Sequence, residues 1–275
     1  MHSATHLETP PDTAGHVQRW GVQNAAAPED TAPELILICE HASNRLVTPW
    51  QEADTALMAS HAASDPGALG LAQALGEQMA QAHGHVVELI HAPLSRLIYD
   101  LNRSPDRPDA VPAQTELHRI GMNAQVTPAE KLNRVMQLYL PFHALVQARI
   151  ARALALGQRP VLLTVHTFTP VWHGVAREVE FGIIHDDAPG LARRIIDESA
   201  ALGLVTRLNE PYSATDHVTH TLRLHATPYR LENAMLELRN DLVATPDAQA
   251  GMAAKLAPVL ARAMSHLTEL SCQAS

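Results

Sequence analysis

Cysteine is nearly absent from this 275-residue chain: Cys39 and Cys272 are the only two. Two thiols do not make a disulfide framework, and they point to a reducing compartment. Aromatic residues are scarce, at 4% of the chain, so Leu, Ile, Val and Ala must fill the core. Long basic runs are missing and the formal net charge is −9, which argues against a surface built to grip nucleic acid. No apolar stretch approaches the roughly 18 residues of a membrane-spanning helix. The N-terminus is polar and lacks the apolar stretch of a secretory leader. These absences describe a soluble cytoplasmic protein whose partners are neither membranes nor nucleic acids.

Hydrophobic residues supply 46% of the chain, enough for a sizeable core. Residues 1–32 are rich in Pro, Thr, Ala and acidic side chains with little periodicity, and they read as a flexible arm. From there on, continuous apolar runs of the buried-strand kind alternate with helical spacing. Strands are expected at 34–39, 86–90, 97–99, 160–165, 179–184, 204–208 and 234–238. Helices are expected at 69–83, 128–156, 190–202 and 246–267. Thr127 before Pro128 is a natural helix start, and Gly157 is placed to end that helix. Asp65-Pro66-Gly67 can cap the helix at 69. The alternation, with no repeat and no linker, predicts one three-layer α/β/α domain over residues 33–275.

Histidine is the abundant chemical residue, with 17 copies. Those of use to catalysis sit where strands end, because an α/β sheet opens its crevice there. His41 follows the apolar run 34–39 and forms an H-x-x-N pair with Asn44; His166 ends the run 160–165. Two imidazoles from separate strand ends and one oxygen ligand satisfy a catalytic zinc, which takes three protein ligands plus water. Glu40 and Asp65 are further carboxylates near the same elements, each suited to be a ligand, a supporting partner or a cap. Glu237 lies inside the apolar run 234–238. A carboxylate there is costly unless paired or functional, and it suits a general base. Ser95 to Arg103 packs Arg96, Asp100, Asn102 and Arg103 into nine positions. Paired guanidinium forks of this kind bind a small carboxylate through charge-assisted hydrogen bonds. Cys39, embedded in a strand, reads as core packing rather than as a nucleophile.

Several ordered motifs carry a resemblance: Cys-Glu-His-Ala-Ser-Asn at 39–44, Ser-Asp-Pro-Gly-Ala at 64–68 and Ser-Arg-Leu-Ile-Tyr-Asp-Leu-Asn-Arg-Ser at 95–104. His-Thr-Phe-Thr-Pro at 166–170, Asn-Glu-Pro-Tyr at 209–212 and Leu-Glu-Leu-Arg-Asn-Asp-Leu at 236–242 continue it. With these the chain resembles the N-formylglutamate amidohydrolase family and, more distantly, the zinc carboxypeptidase and aspartoacylase group. The resemblance implies a zinc-carboxypeptidase-like fold with a mixed central sheet and a Zn2+ cofactor. It places the metal on His41, Asn44 and His166, the base at Glu237 and the carbonyl-polarising cation at Arg96. It assigns the substrate carboxylate to Asn102, Arg103 and Tyr212. Asn44 departs from the group's glutamate, and Glu40 and Asp65 stand as alternatives to it. The implied reaction is hydrolysis of N-formyl-L-glutamate to formate and L-glutamate. The alternatives are another N-acyl amino acid, a carboxypeptidase-like substrate, or a non-catalytic binding protein on the same fold. The second carboxylate of that substrate needs its own cation, for which Arg45, Arg177 and Arg239 are candidates.

Overall fold

The computed structural model describes residues 13–21, 31–51 and 53–273, with side chains described as far as residue 265. Its frame is a seven-stranded mixed sheet built from β1 (His16–Trp20), β2 (Leu35–Cys39), β3 (Val87–His91), β6 (Val161–Phe168), β9 (Phe181–Ile184), β10 (Thr206–Leu208) and β11 (Asn233–Arg239). The spatial order is β1-β3-β2-β6-β11-β9-β10. Strands β3, β2, β6 and β11 run parallel, while β1 and β9 are antiparallel to their neighbours β3 and β11. Two small hairpins stand outside this sheet: β4 (Gln114–Thr115) with β5 (His118–Arg119), and β7 (Val171–Trp172) with β8 (Val175–Ala176).

Buried central strands are apolar on both faces, and β2 is buried at every position. Its Leu35, Leu37 and Cys39 meet α2 (Ala68–His83), α5 (Pro189–Glu198) and α7 (Pro246–Gln273) on one side. Its Ile36 and Ile38 meet α4 (Leu140–Ala155), α6 (His220–His225) and the segment 94–111 on the other. A one-turn helix, α1 (Thr55–Met58), precedes α2. Thr127 caps α3 (Pro128–Arg134) by accepting from the Glu130 N–H, and α3 continues into α4 through a π turn at Val135–Tyr139. Gly157, at φ +80°, follows the end of α4, the left-handed position where glycine is favoured.

The three-layer α/β/α reading therefore stands, as do the main strands and helices. Two local expectations differ. Leu97-Ile98-Tyr99 is a buried turn rather than a strand, because Ser95 accepts from the Ile98 N–H and Asp100 N–H donates to Ala110, closing the chain on itself. His16–Trp20, inside the expected arm, is the edge strand β1; residues 1–12 and 22–30 lie outside the described residues. Arg19 explains the docking of β1: it lies opposite Glu88 on β3 and pairs with that buried carboxylate at 2.9 Å. Arg149 from α4 grips the same carboxylate at 2.6 and 2.7 Å.

Candidate active site

The four parallel strands end on one side of the sheet, where an α/β fold opens its crevice. A cleft of about 380 Å³ lies there, within the size range of amino-acid-sized ligands. His41 follows β2, His166 lies near the end of β6, Glu237 lies in β11, and Arg96, Asn102 and Arg103 come from the segment after β3. All six line the cleft, with Tyr212.

Asp65, in the loop before α2, ties the centre together. Its Oδ2 lies 2.8 Å from His166 Nδ1 and 3.3 Å from His41 Nδ1. One ligand atom from each of the three residues lies within 4.8 Å of the other two, and all three residues are buried. The far ring nitrogens rest on carboxylates: His41 Nε2 is 2.8 Å from Asp100 Oδ1, and His166 Nε2 is 3.1 Å from Glu40 Oε2. The hydrogen bond to Asp100 holds His41 as metal-ligating histidines are usually held, since a carboxylate on the outer N–H fixes the ring and leaves the inner lone pair free; Glu40 supplies His166 with a nearby opposite charge. The charge balance agrees. Glu40, Asp65, Asp100 and Glu237 are all buried, while among the described residues Arg96 is the one guanidinium bonded to the cluster, through Asp65 at 3.2 Å and Asp100 at 2.6 Å. With neutral imidazoles and Glu237 holding its proton the excess is two negative charges, which a divalent cation offsets. The donor set, one carboxylate and two imidazoles, suits zinc.

Position 44 requires a correction. Asn44 is exposed, its side-chain amide donates to the Met58 carbonyl at 2.9 Å, and it does not line the cleft. The structure does not bring it to the cluster; the carboxylate that stands beside His41 and His166 is Asp65. Nor does Asp65 cap α2 through its side chain. Gly67, at φ +83°, takes the cap position with no side-chain bond.

Burial pushes the Glu40 carboxyl up, but His166 and His41 beside it reverse the effect and hold it down at about 2. Asp65 and Asp100 are likewise held well below the usual carboxylate range against burial, Asp65 by His41 and His166, Asp100 chiefly by Arg96. Glu237 goes the other way. Burial raises its carboxyl to about 7, with only partial relief from the charges of His166, His41 and Arg96. Its Oε2 is buried without a hydrogen bond. Glu237 pairs in register with His166 on β6 and with Gly182 on β9. Gly182 is small by necessity, since a Cβ there would stand 2.1 Å from the Glu210 carbonyl oxygen and 3.3 Å from Glu237 Cβ.

Asn102 is buried, and both ends of its amide are engaged: it donates to Val218 and accepts from the Thr221 N–H. Arg103 donates through Nε to Asp109 and through Nη1 to the carbonyls of Asn102 and His217. Tyr212 accepts from Arg177 Nη1 at 3.0 Å. Of the arginines considered for a second substrate carboxylate, none lines the cleft. Arg45 donates to the Pro93 carbonyl, Arg239 to Asp241 and Glu180, and Arg177 to Tyr212 and Thr169. The thiol of Cys39 is fully buried and pushed well up by that burial, as inert packing requires.

Sequence reasoning left Asp100 without a role and gave Asp65 and Glu40 only as alternatives. The clue to Glu40 and Asp100 was the placing of a carboxylate beside each cluster of interest, Glu40 next to His41 and Asp100 four residues after Arg96.

The family model described as N-formylglutamate amidohydrolase matches residues 33–244. A gene product of Agrobacterium tumefaciens of known structure is 38% identical, with a TM-score of 0.83 over 92% of this chain and 96% of that one. The N-formylglutamate amidohydrolase of Ralstonia eutropha JMP134 is 17% identical, with a TM-score of 0.65 over 92% of this chain and 98% of that one, a likeness of fold. No protein of curated description matches the chain.

Proposed function

The chain belongs to the N-formylglutamate amidohydrolase family, and from that premise we propose that it is a zinc-dependent hydrolase of N-acyl amino acids, with N-formyl-L-glutamate the first candidate substrate. The observation that carries the reading is the convergence of buried His41 and His166 on Asp65 Oδ2, with His41 hydrogen-bonded to Asp100 and His166 beside Glu40, next to a protonatable Glu237. His41, Asp65 and His166 would hold the ion. A zinc ion bound there supplies Lewis acidity toward a water and toward the acyl oxygen.

The chain's own groups do the rest. Glu237 accepts a proton from the attacking water at its carboxylate and returns it to the leaving amine nitrogen, a task suited to a carboxyl tuned near neutrality. Arg96, held by Asp65 and Asp100 at the wall of the cleft, presents positive charge to the developing oxyanion. Arg103 takes the substrate α-carboxylate. Asn102, bonded to Val218 and Thr221, fixes the turn that presents Arg103. Tyr212 adds a hydroxyl to the same wall. The acyl carbon gains the water oxygen as its bond to nitrogen breaks, giving formate and L-glutamate from the first candidate.

One observation favours a broader acyl amino acid range. Arg96 and Arg103 are the only arginines lining the cleft among the described residues, and both have tasks. The remaining protonatable cation there is His61, which burial biases toward the neutral form. N-acyl amino acids with neutral side chains therefore belong in the same assay.

The test is metal content with formate release, before and after chelation. We expect about one zinc per chain and formate release that chelation abolishes. Asp65→Ala should lose metal and at least about a hundredfold of activity, whereas Asn44→Ala keeps both. Full activity in metal-stripped protein, or metal retained by Asp65→Ala, overturns the assignment.

A further inference from the structure

Arg177, which does not line the cleft, stands against three aromatic rings that do. Its guanidinium carbon lies 4.9 Å from the ring centre of Tyr212, 5.2 Å from that of Trp172 and 5.4 Å from that of Phe168. A guanidinium is attracted to aromatic faces, so one cation gathers Phe168 at the end of β6, Trp172 of the β7–β8 hairpin and Tyr212 after Pro211. Its Nη1 also donates to Tyr212 Oη at 3.0 Å and to the Thr169 carbonyl at 3.4 Å.

That bond has a direction. A guanidinium only donates, whereas a phenol can both donate and accept. With the oxygen accepting from Arg177, the phenol proton must point elsewhere, and among the described residues no acceptor receives it. Tyr212 faces the cleft and lies near enough to Glu237 to feel its charge; burial and that charge together raise its phenol, which keeps the proton in place. The hydroxyl is thus a donor with an unused proton at the wall of the site.

We propose that Arg177 is a positioning residue: by occupying the acceptor side of the Tyr212 hydroxyl and holding its ring in an aromatic cage, it makes Tyr212 a fixed hydrogen-bond donor to an oxygen of the bound substrate. The proposal rests on the hydrolase reading for its kinetic consequence, but not for its structural one. Without Arg177 the hydroxyl is free to rotate, and part of its donor strength toward the substrate is lost.

Two readouts test this. The chain has four tyrosines, so tyrosine labelled with carbon-13 at Cζ gives four resolvable resonances, assigned through Tyr212→Phe. Arg177→Met should shift the Tyr212 resonance, and Arg177→Lys, which keeps a donor and a cation, should restore most of it. This measurement needs no turnover. The second readout is kcat/KM for an N-acyl amino acid that the wild type hydrolyses. Arg177→Met should lower it about tenfold in the wild-type background and less than about twofold in a Tyr212→Phe background, because the two act as a unit. Equal losses in both backgrounds would reduce Arg177 to a structural prop and overturn the proposal, as would an unmoved Tyr212 resonance in both Arg177 variants. A wild type inactive on every N-acyl amino acid would remove the hydrolase reading, while the resonance would still decide whether Arg177 sets the state of Tyr212.

Discussion

Glu237 sits in a strand whose neighbours Leu236 and Leu238 are buried and apolar, and its ionisation is opposed by that burial. A carboxyl at about 7 in the folded chain, against about 4.5 when unfolded, keeps a proton in the native state that the unfolded state releases. Below the unfolded value both states are protonated and the group is neutral toward stability. Between the two values stability falls as pH rises, and above about 7 the full cost of a buried charge is present. Metal-free Glu237→Gln should therefore melt with the wild type at pH 4 and above it at pH 8, by on the order of 2–3 kcal/mol. Thermal melts of the two stripped proteins at both pH values check this; a gap that is the same at each pH would contradict it. Glu237 was legible in the sequence because a carboxylate within an apolar run is conspicuous whatever the fold. Asp65 was not singled out, because its claim rests on a meeting with His166 from 101 positions away. Local spacing favoured Asn44, which the fold turns outward to the Met58 carbonyl.

At the scale of elements, β9 and β11 fit each other through Gly182. The Glu210 carbonyl occupies the space that a side chain at 182 would need, and Tyr212 follows two residues later. Gly182→Ala should push this segment away from Glu237. Displacement of reacting groups by a fraction of an ångström to an ångström costs about ten- to a hundredfold in rate, and overpacking costs about 1–3 kcal/mol. Steady-state kinetics with a thermal melt would show both; an unchanged kcat/KM would mean that the segment does not position the site. The central strands were readable because burial on both faces forces an apolar run, and the long helix because Thr127 and Gly157 mark its ends. The turn at 97–99 has the same apolar composition as a strand. What decides it is non-local: the Arg134 guanidinium, buried against the Ile98 carbonyl and Asn123, holds the segment in place under the cleft.

For the molecule as a whole, the sheet is the instrument that gathers the site. His41, Arg96, His166 and Glu237 come from the ends of four parallel strands or the segments after them, and no local stretch holds more than two of the groups named in the mechanism except the run from Arg96 to Arg103. The domain type was legible from alternation alone. The edge of the sheet was not, since β1 is five residues long and owes its place to Arg19 on Glu88 and to Trp20, which stands 2.6 Å from where a Cβ on Gly76 would be. That short strand has a consequence for life in a crowded solution. It lays His16, Gln18 and Arg19 along β3, whose five residues are buried. Stripped of β1, β3 becomes a bare edge with unpaired backbone groups and with Val87, Leu89 and Ile90 in its run, a template on which chains add to one another. A chain lacking residues 1–32 should accordingly precipitate or form oligomers on refolding where the full chain does not, as light scattering would reveal, and the polar strand at the margin is then a guard against self-association.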